Sequence, residues 1–423
     1  MQDDLLEKNE VISYERLYRL WELNNWSATE IDFDKDLDHW NNRFDDKQRA
    51  AALWNYAMFL VGEEAVARTL SPVLDAAPTH AQSLFLTTQI VDEARHHVFF
   101  DRFVREVAGQ GRDTASTLRA VESELTWGFK QVFAELDRLS DELARKPKNK
   151  PLLAQMIALY HVIIEGMLAV PGQHFIQRYV KELDLMPGFS EGITNVSRDE
   201  ARHVAFGIRF LGDLIRESKE NKAAAIELFD RVLPWAAGVF IPPNGDRSYA
   251  ECFGFSLVDI YAFGLRSFFT KLKRLGIDPD EISIISRQDP NDSFEERSRQ
   301  AWVMIDAGII GDDRRNPHMT PEAFEVLFDG VARAMRPEVA RSIGTRYQWE
   351  FTDAEPWHIT INGGGAEAGP GRLDRYDVCF QASSSDWAKI AVGRLDPRRA
   401  VLTRKLRLRA PLRAKVRLPQ LFI

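Results

Sequence analysis

Cysteine is scarce in this chain. Only Cys252 and Cys379 occur among 423 residues, and they lie far apart in different surroundings. Two cysteines provide neither a framework of disulfides nor a cysteine-based metal site. We therefore interpret them as reduced thiols of a cytoplasmic protein.

Long apolar runs are also missing. The longest, 156–170, is shorter than the ~20 residues that span a bilayer and contains His161 and Glu165. The first ten residues, MQDDLLEKNE, are acidic and polar, unlike a secretory signal. The formal net charge of −8 argues against nucleic acid as the main partner. We expect no integral membrane segment and no nucleic-acid ligand.

The region 47–275 has the pattern of long helices. Apolar residues recur there three and four positions apart, and proline or glycine marks the breaks. The predicted helices are 47–75, 79–108, 114–145, 151–180, 190–218, 221–238 and 250–275.

The periodicity changes after a polar stretch, 276–320, that holds one short helical pattern near 294–308. A further helix is predicted over 321–345. Short β-type runs then follow at Tyr347–Phe351, Trp357–Ile361, Val378–Gln381 and 405–409. The protein is therefore predicted to be mostly α. The expected division is a helical domain at 1–280, a connector at 281–318 and a smaller α+β domain at 319–423.

One pentapeptide, Asp-Glu-Ala-Arg-His, occurs twice, at 92–96 and at 199–203. Each copy lies in the middle of a predicted helix, where a charged cluster is costly unless it is used. A Glu and a His three positions apart lie on one face of a helix, about one turn from each other. The pairs Glu93–His96 and Glu200–His203 can therefore each bind one metal ion.

Dinuclear carboxylate bundles add one Glu from each of two further helices, and we expect those two to bridge the metals. Glu165 lies inside an apolar run, where an unpaired carboxylate is costly. The alternative is a buried Glu with a raised pKa. On the first helix Glu63 follows the apolar stripe, whereas Glu64 falls off it, four residues before Arg68. We choose Glu63 as the ligand.

Four Glu and two His suit Fe or Mn better than a structural zinc ion. Ligating histidines usually donate their second N–H to a carboxylate or a carbonyl. We therefore predict a crossed arrangement behind the ligands, in which Asp199 orients His96 and Asp92 orients His203. The alternative is that these two aspartates pair with Arg95 and Arg202.

The segments 62–66, 92–96, 160–168 and 199–207 resemble the ligand-binding oxidases related to ribonucleotide reductase small subunits. The resemblance covers roughly 45–275. It implies a ferritin-like bundle in which two Fe ions, or a manganese–iron pair, activate O2 beside a long-chain ligand. It also implies that Tyr160 becomes joined to Val66, so that both side chains react. The alternative for Tyr160 is a core tyrosine that makes one hydrogen bond.

The sequence departs from two related groups. Radical-generating small subunits have a tyrosine where this chain has Phe100, and they end in a tail carrying a tyrosine, whereas the last tyrosine here is Tyr376. Arylamine N-oxygenases have an extra histidine where this chain has Val196. His161, four residues before Glu165, either approaches the metals or lies behind the ligands or in the core.

The C-terminal region, roughly 320–423, resembles a sterol-carrier-protein domain of the second type. The resemblance rests on 357–363, 377–384, Asp386-Trp387, Gly393, Asp396-Pro397 and 418–422. It implies an apolar tunnel for lipids or acyl chains; a dimerisation element without cargo is the alternative. Ten Lys or Arg and one acid lie between 394 and 417. They suit an acidic head group or membrane surface, or else a solvated strand face.

These features predict an oxidoreductase, an O2-dependent dinuclear metal oxidase or oxygenase that acts on an apolar or acyl small molecule, as in secondary metabolism. No glycine-rich dinucleotide motif follows a strand, so we expect an external reductase as electron donor. We also expect a homodimer. One alternative is an N-oxygenase with an amine substrate. Another is a lipid-binding protein with a structural metal pair. The third, an iron-storage shell, is disfavoured by the appended domain.

Overall fold

The computed structural model describes residues 12–363, 365–411 and 421. They fall into two compact units, which divide between Asp278 and Pro279. The first unit is helical, and the second combines helices with one sheet. The predicted mostly α chain with a smaller α+β region is confirmed. The finer limits 1–280, 281–318 and 319–423 stay predictions.

The first unit contains helices α1 to α13 and a π-helical segment between α8 and α9. The bounds are α1 Tyr14–Leu23, α2 Asp34–Asn42, α3 Asp46–Thr69, α4 Ser71–Ala76, α5 His80–Glu106, α6 Thr114–Val121, α7 Trp127–Arg145, α8 Lys150–Ile157, the π segment Ala158–Ala169, α9 Val170–Glu182, α10 Pro187–Glu217, α11 Lys219–Ala236, α12 Ser248–Glu251 and α13 Leu257–Leu275.

Reciprocal side-chain caps fix where two of the long helices begin. The Asp45 side chain accepts from the Gln48 backbone N–H before α3, and Thr79 does the same for Gln82 before α5. In both cases the glutamine Oε1 accepts a hydrogen bond from the backbone N–H of the cap residue. The two bonds satisfy backbone N–H groups that the start of a helix leaves unpaired. The caps set the starting points of two helices that pack along each other.

An aromatic core lies on one side of these helices. Tyr56 of α3, Phe99 and Phe103 of α5, and Phe189 of α10 are fully buried, and their ring centroids lie 4.4–5.4 Å from neighbouring rings of the cluster. Rings at these separations stabilise beyond the area that they bury. The packing holds α3, α5 and α10 together about one to three turns from Glu63, His96 and Glu200.

Several predicted helices differ from the structure. The helix predicted over 114–145 is interrupted by a 3₁₀ turn at Glu122–Glu124, and Thr126 caps a new helix there. The helix predicted over 321–345 breaks before Pro337, because proline lacks the N–H that would continue it. Helices α1 and α2 were not predicted.

The second unit contains six helices and a five-stranded sheet within its described residues. The bounds are α14 Ser283–Ser286, α15 Phe294–Asp306, α16 Pro321–Ala334, α17 Pro337–Ile343, β1 Arg346–Phe351, β2 Trp357–Ile361, β3 Ala366–Pro370, β4 Val378–Ala382, α18 Ser384–Ala391, α19 Pro397–Leu402 and β5 Leu406–Arg409.

The sheet has the order β3-β2-β1-β4-β5. Strands β1 and β4 run parallel, and the other pairs are antiparallel. The four predicted strands are present, whereas β3 was missed because alanine, glycine and proline are poor strand formers. Trp349, Phe380 and Trp387 form its core, with ring centroids 4.9–5.4 Å apart.

The basic stretch 394–417 is described only up to residue 411. Lys405, Arg407 and Arg409 are exposed, while Leu406 between them is buried. This part of the stretch is a strand with a solvated basic face. Of the predicted terminal motif 418–422, only Leu421 lies within the described residues; it is buried, and its carbonyl accepts from the Arg336 N–H.

One helical stretch of the described residues, Lys150–Glu182, is long and apolar enough to cross a membrane by length and composition. In its most apolar window, 83% of the residues are buried inside the protein. The central helix of a folded bundle has the same character, so this stretch is weak evidence for a membrane span.

Candidate metal centre

The six side chains predicted as ligands lie together in the middle of the first unit. Two overlapping groups form, and within each group one potential donor atom per residue lies within 4.8 Å of the others. The first group is Glu63, Glu93, His96 and Glu200, and the second is Glu93, Glu165, Glu200 and His203. All six residues are at most 6% exposed. Two adjacent cation positions would account for this arrangement.

Glu93 and Glu200 belong to both groups, whereas Glu63 and Glu165 each belong to one. This grouping favours Glu93 and Glu200, rather than the expected Glu63 and Glu165, as the carboxylates that would lie between two cations. The carboxylates placed between the two positions are those of the repeated pentapeptide. Spacing along a helix identifies donors on one face, but it does not say how far a side chain reaches between two ions.

Four elements deliver these side chains. Glu63 comes from α3, Glu93 and His96 from α5, and Glu200 and His203 from α10. Glu63 is 6% exposed. Glu64 instead lies near Arg68, with carboxylate and guanidinium 3.9 Å apart on partly exposed side chains. The choice of Glu63 over Glu64 thus agrees with the side-chain burial.

The fourth element is the π segment, which carries Tyr160, His161 and Glu165. Hydrogen bonds from residue i to i+5 widen a helix, and such segments are rare and frequently occur at functional sites. All three side chains are buried. The periodicity of 151–180 predicted a continuous α-helix here, because the apolar run satisfies either winding.

The donor atoms in the cluster lack the hydrogen bonds that their burial requires. Nδ1 of His96 and His203 and one carboxylate oxygen each of Glu165 and Glu200 have no hydrogen-bond partner among the described residues. Buried polar atoms are nearly always satisfied. His96 Nδ1 lies 3.4–3.6 Å from oxygens of Glu63, Glu93 and Glu200, which are too distant or too poorly aligned for hydrogen bonds. The chemistry of the set fits a pair of cations.

The charges also balance for two divalent ions. Four ionised carboxylates with neutral imidazoles carry a total of −4, which two divalent cations would cancel. Behind them, two aspartates face two arginines: Arg202 contacts Asp92 at 3.1 Å and Asp199 at 2.7 Å, and Arg95 contacts Asp92 at 2.9 Å. These two aspartates and two arginines neutralise one another. The negative charge of the ligand carboxylates is therefore left for the metal ions to balance.

Burial and crowding shift the pKa values of the cluster. Burial raises the pKa of Glu63, Glu165 and Glu200. Burial also acts to raise the pKa of Glu93, but His203 and His96 outweigh it and hold that pKa well below its usual range. The four carboxylates are too close to be ionised together unless positive charge lies among them.

The aspartates behind the ligands make both sets of contacts considered from the sequence. His96 Nε2 lies 3.3 Å from Asp199 Oδ2, and His203 Nε2 lies 3.1 Å from Asp92 Oδ2, which is the crossed arrangement. The pairing with Arg95 and Arg202 is present as well. An aspartate on the far nitrogen directs the other imidazole nitrogen into the cluster.

Sequence reasoning missed two tryptophans that reach the same aspartates. Trp21 Nε1 donates to Asp92 at 3.0 Å, and Trp26 Nε1 donates to Asp199 at 2.7 Å. The Trp26 ring also stacks beside His96, with 6.3 Å between ring centroids. Both tryptophans lie in or just after α1. The N-terminal stretch has no long apolar repeat, so nothing in it indicated that it covers the cluster.

The sequence pattern of the family described as ribonucleotide reductase, small chain, matches residues 10–233. The match covers more than half of the chain. The chain belongs to this family. A second pattern, that of the SCP-2 sterol transfer family, matches residues 324–413 in the second unit. The helical unit is therefore ferritin-like, and the sheet-containing unit is sterol-carrier-protein-like.

Solved structures with the same fold include R2-like ligand-binding oxidases. A variant with an aerobically reconstituted Mn/Fe cofactor has 23% identity and a TM-score of 0.53, covering 63% of this chain and 93% of its own. The oxidase from Sulfolobus acidocaldarius has 22% identity and a TM-score of 0.52, covering 64% and 95%. At this identity the likeness establishes the fold.

In this family member, Phe100 is buried among aromatic rings and stacks on Phe59 with 5.2 Å between centroids. The position four residues after His96 therefore carries no hydroxyl. Val196, at the position of the extra histidine of arylamine N-oxygenases, is fully buried in the aromatic core. Both departures predicted from the sequence are thus apolar core positions.

Tyr160 and Val66 both line a cavity beside the carboxylates. The cavity encloses about 590 Å³ of empty space, part of it open to solvent. Glu63, Glu93, Glu165 and Glu200 contribute to its wall, and the other lining residues apart from Tyr160 are apolar or glycine. Tyr160 donates a hydrogen bond to Glu93 Oε1 at 2.5 Å. An apolar molecule in this cavity would contact the carboxylate cluster directly.

His161 lies behind the ligands, outside both donor groups. Burial lowers the pKa of His161 to about 3, so the ring is neutral. Its Nε2 lies 3.2 Å from Gln89 Oε1, and Gln89 Nε2 donates to Glu165 at 2.9 Å. Gln89, four residues before Glu93 on α5, was missed although that spacing puts it on the ligand face.

We expect replacement of Gly207 by alanine to destabilise the bundle. A Cβ at Gly207 would lie 2.1 Å from Cβ of His161, so that ring would have to move. Overpacking of this kind costs about 1–3 kcal/mol in the free energy of unfolding. Denaturant unfolding of Gly207→Ala would measure it. Gly212→Ala in the same helix is the control, because its new Cβ meets only the flexible end of Arg216 at 3.2 Å. Equal stability of both variants would contradict the packing argument.

Proposed function

We propose that the chain is a dinuclear metal oxidase or oxygenase that uses an iron pair or a manganese–iron pair to oxidise an apolar or acyl small molecule. One observation carries the proposal: two overlapping groups of buried carboxylates and imidazoles open onto an apolar cavity. The Mn/Fe cofactor named for the R2-like ligand-binding oxidases of the same fold supports the choice of metals. Oxygen and imidazole donors agree with that choice.

The proposed ligands of one ion are Glu63, Glu93, His96 and Glu200. Those of the other are Glu93, Glu165, Glu200 and His203. When bound, the metal pair supplies reductive activation of O2. The chain supplies ligand number, orientation and a largely apolar cavity beside the ions. Asp92 and Asp199 hold the two imidazoles in register, and Gln89 holds Glu165.

The lining of the cavity supports an apolar substrate. Apart from the four glutamates and Tyr160, the described wall offers apolar groups, such as those of Met58, Phe133 and Leu168. A lipid-like molecule would be placed by contact and shape, with its reacting carbon facing the carboxylates. The sterol-carrier-protein-like unit supports the same substrate class, and we propose that it holds lipid or acyl cargo.

N-oxidation of an amine is the second candidate. A neutral amine could approach the ligand carboxylates, which are the acidic groups in the described wall. Among the other side chains of the described wall, Tyr160 alone carries an oxygen that can accept a hydrogen bond from an amine. The apolar lining therefore favours carbon oxidation.

We propose that electrons come from an external reductase and that the working form is a homodimer.

We propose that Tyr160 and Val66 become joined by an ether bond. Both line the cavity, and Val66 lies one turn beyond Glu63 on α3. The bond would replace the O–H of Tyr160 and one C–H of Val66, and the two protons and two electrons released would reduce O2 to hydrogen peroxide. Aerobic metal loading should lower the intact mass by two hydrogen atoms, and peptide mapping should place the link. Tyr160→Phe is the control; an unchanged mass in air would reject the link.

Air oxidation of the reduced, metal-loaded protein separates the oxidase from a binding protein with a structural metal pair. An oxidase should take up O2 at a rate that follows metal content and show transient absorption bands. The same protein without metal is the control. A metal pair that takes up no O2 would favour the lipid-binding alternative instead.

A further inference from the structure

A second cavity lies in the first unit. It encloses about 550 Å³ of empty space, part of it open to solvent. Residues of α3 and α9 and the segment 249–260 form its wall. Phe240 lines both cavities. The second cavity therefore lies close to the cavity beside the carboxylates, which we call the metal-side cavity. None of the proposed metal ligands lines the second cavity.

Two polar groups in its wall lack partners. Trp54 is 4% exposed, and its indole Nε1 has no hydrogen-bond acceptor among the described residues. The neighbouring Asn55 Oδ1 is also buried without a donor in that part of the chain. A buried tryptophan N–H normally finds a partner. Both residues line the cavity, but the two atoms lie just beneath its surface, so an occupant supplies the missing groups only when the wall moves slightly aside.

The rest of the wall limits what that occupant can be. No charged side chain lines the cavity within the described residues, and the wall is mainly apolar, with aromatic rings such as Phe175, Phe253 and Phe255. The hydroxyl of Tyr179 is already paired with that of Tyr56. An ionised head group would lose its hydration without gaining a counter-charge. A neutral molecule avoids that cost.

We propose that this second cavity binds an uncharged, largely apolar molecule through a hydroxyl group. The hydroxyl oxygen accepts from Trp54 Nε1, and the hydroxyl hydrogen is donated to Asn55 Oδ1. A hydroxyl is the smallest group that both donates and accepts. The aromatic wall packs against the hydrocarbon part. The second cavity contains none of the proposed metal ligands. This proposal can therefore be tested independently of the proposed oxidase activity.

Two probes that differ by one hydroxyl test the proposal: 4-hexylphenol and hexylbenzene. Calorimetric titration uses the full-length, metal-loaded protein without reductant, so that no turnover occurs. Trp54→Phe keeps an aromatic ring and removes the donor, and it should weaken 4-hexylphenol about tenfold. Its effect on hexylbenzene should stay within about twofold. Asn55→Ala should show the same selectivity.

Trp40→Phe is the matched control, because Trp40 is buried in the aromatic core and lines neither cavity. It should leave both affinities unchanged. A crystal structure with 4-hexylphenol should show its oxygen between Trp54 and Asn55. Equal weakening of both probes by Trp54→Phe, a probe seated only in the metal-side cavity, or ordered water alone on Trp54 with no probe binding would each overturn the proposal.

Discussion

Protein in which alanine replaces His203 should bind at most one metal ion per chain and should show no oxidative turnover. His203 belongs to only one of the two donor groups, so its loss removes one cation position and leaves the other with all four donors. Loss of a residue behind a ligand already costs roughly 10–100-fold in metal affinity or activity. Loss of a direct ligand should exceed that. Glu165→Ala should behave in the same way.

Elemental analysis of the purified variants and O2 uptake after reduction are the two measurements. His97→Ala is the control, because His97 follows His96 on α5 but lies outside both donor groups, with its Nδ1 3.4 Å from the Leu60 carbonyl. That variant should load two ions and turn over normally. Two ions and full turnover in His203→Ala would refute the metal centre.

Replacing Glu200 by alanine should have a larger effect on metal content than replacing Glu63. Glu200 lies in both donor groups, so its loss leaves three donors at each position. Glu63 lies in one, so its loss leaves the position of Glu165 and His203 complete. We expect metal content near zero for Glu200→Ala and near one ion per chain for Glu63→Ala, with turnover lost in both.

The adjacent Glu64→Ala provides the comparison, because Glu64 is partly exposed and lies near Arg68. It should keep both ions. Metal titration followed by removal of loosely bound ions would give the stoichiometries. If Glu63→Ala lost both ions while Glu200→Ala kept one, the shared carboxylates would have been assigned the wrong way round.

The donor set was predictable because its signals are local. The repeated pentapeptide fixes a Glu and a His on one face of each of two helices, and the phase of an apolar stripe separates Glu63 from Glu64. These signals can be read from the sequence alone, without knowing how the helices cross. The fold class followed from the same periodicity, since helical spacing gives way to alternation after residue 345.

What could not be predicted depends on distances between elements. Which carboxylates lie between the two cation positions depends on how far α5 and α10 approach each other. The contacts of Trp21 and Trp26 depend on where the N-terminal segment folds back. Strand β3, with the sequence AEAGP, forms because β2 offers it a free edge, a tertiary effect that outweighs weak strand propensity.

The wide turns of Ala158–Ala169 make this stretch unusually sensitive to changes in length. Deleting one residue could restore ordinary i to i+4 bonding, which is the preferred winding of a helix. Each residue of an α-helix also turns the chain by about 100°. The shortened helix would therefore aim either Glu165 or the buried Phe175 away from its present neighbours. Such a deletion would favour the backbone but misalign the bundle, so we expect related chains with this centre to keep the length of this segment.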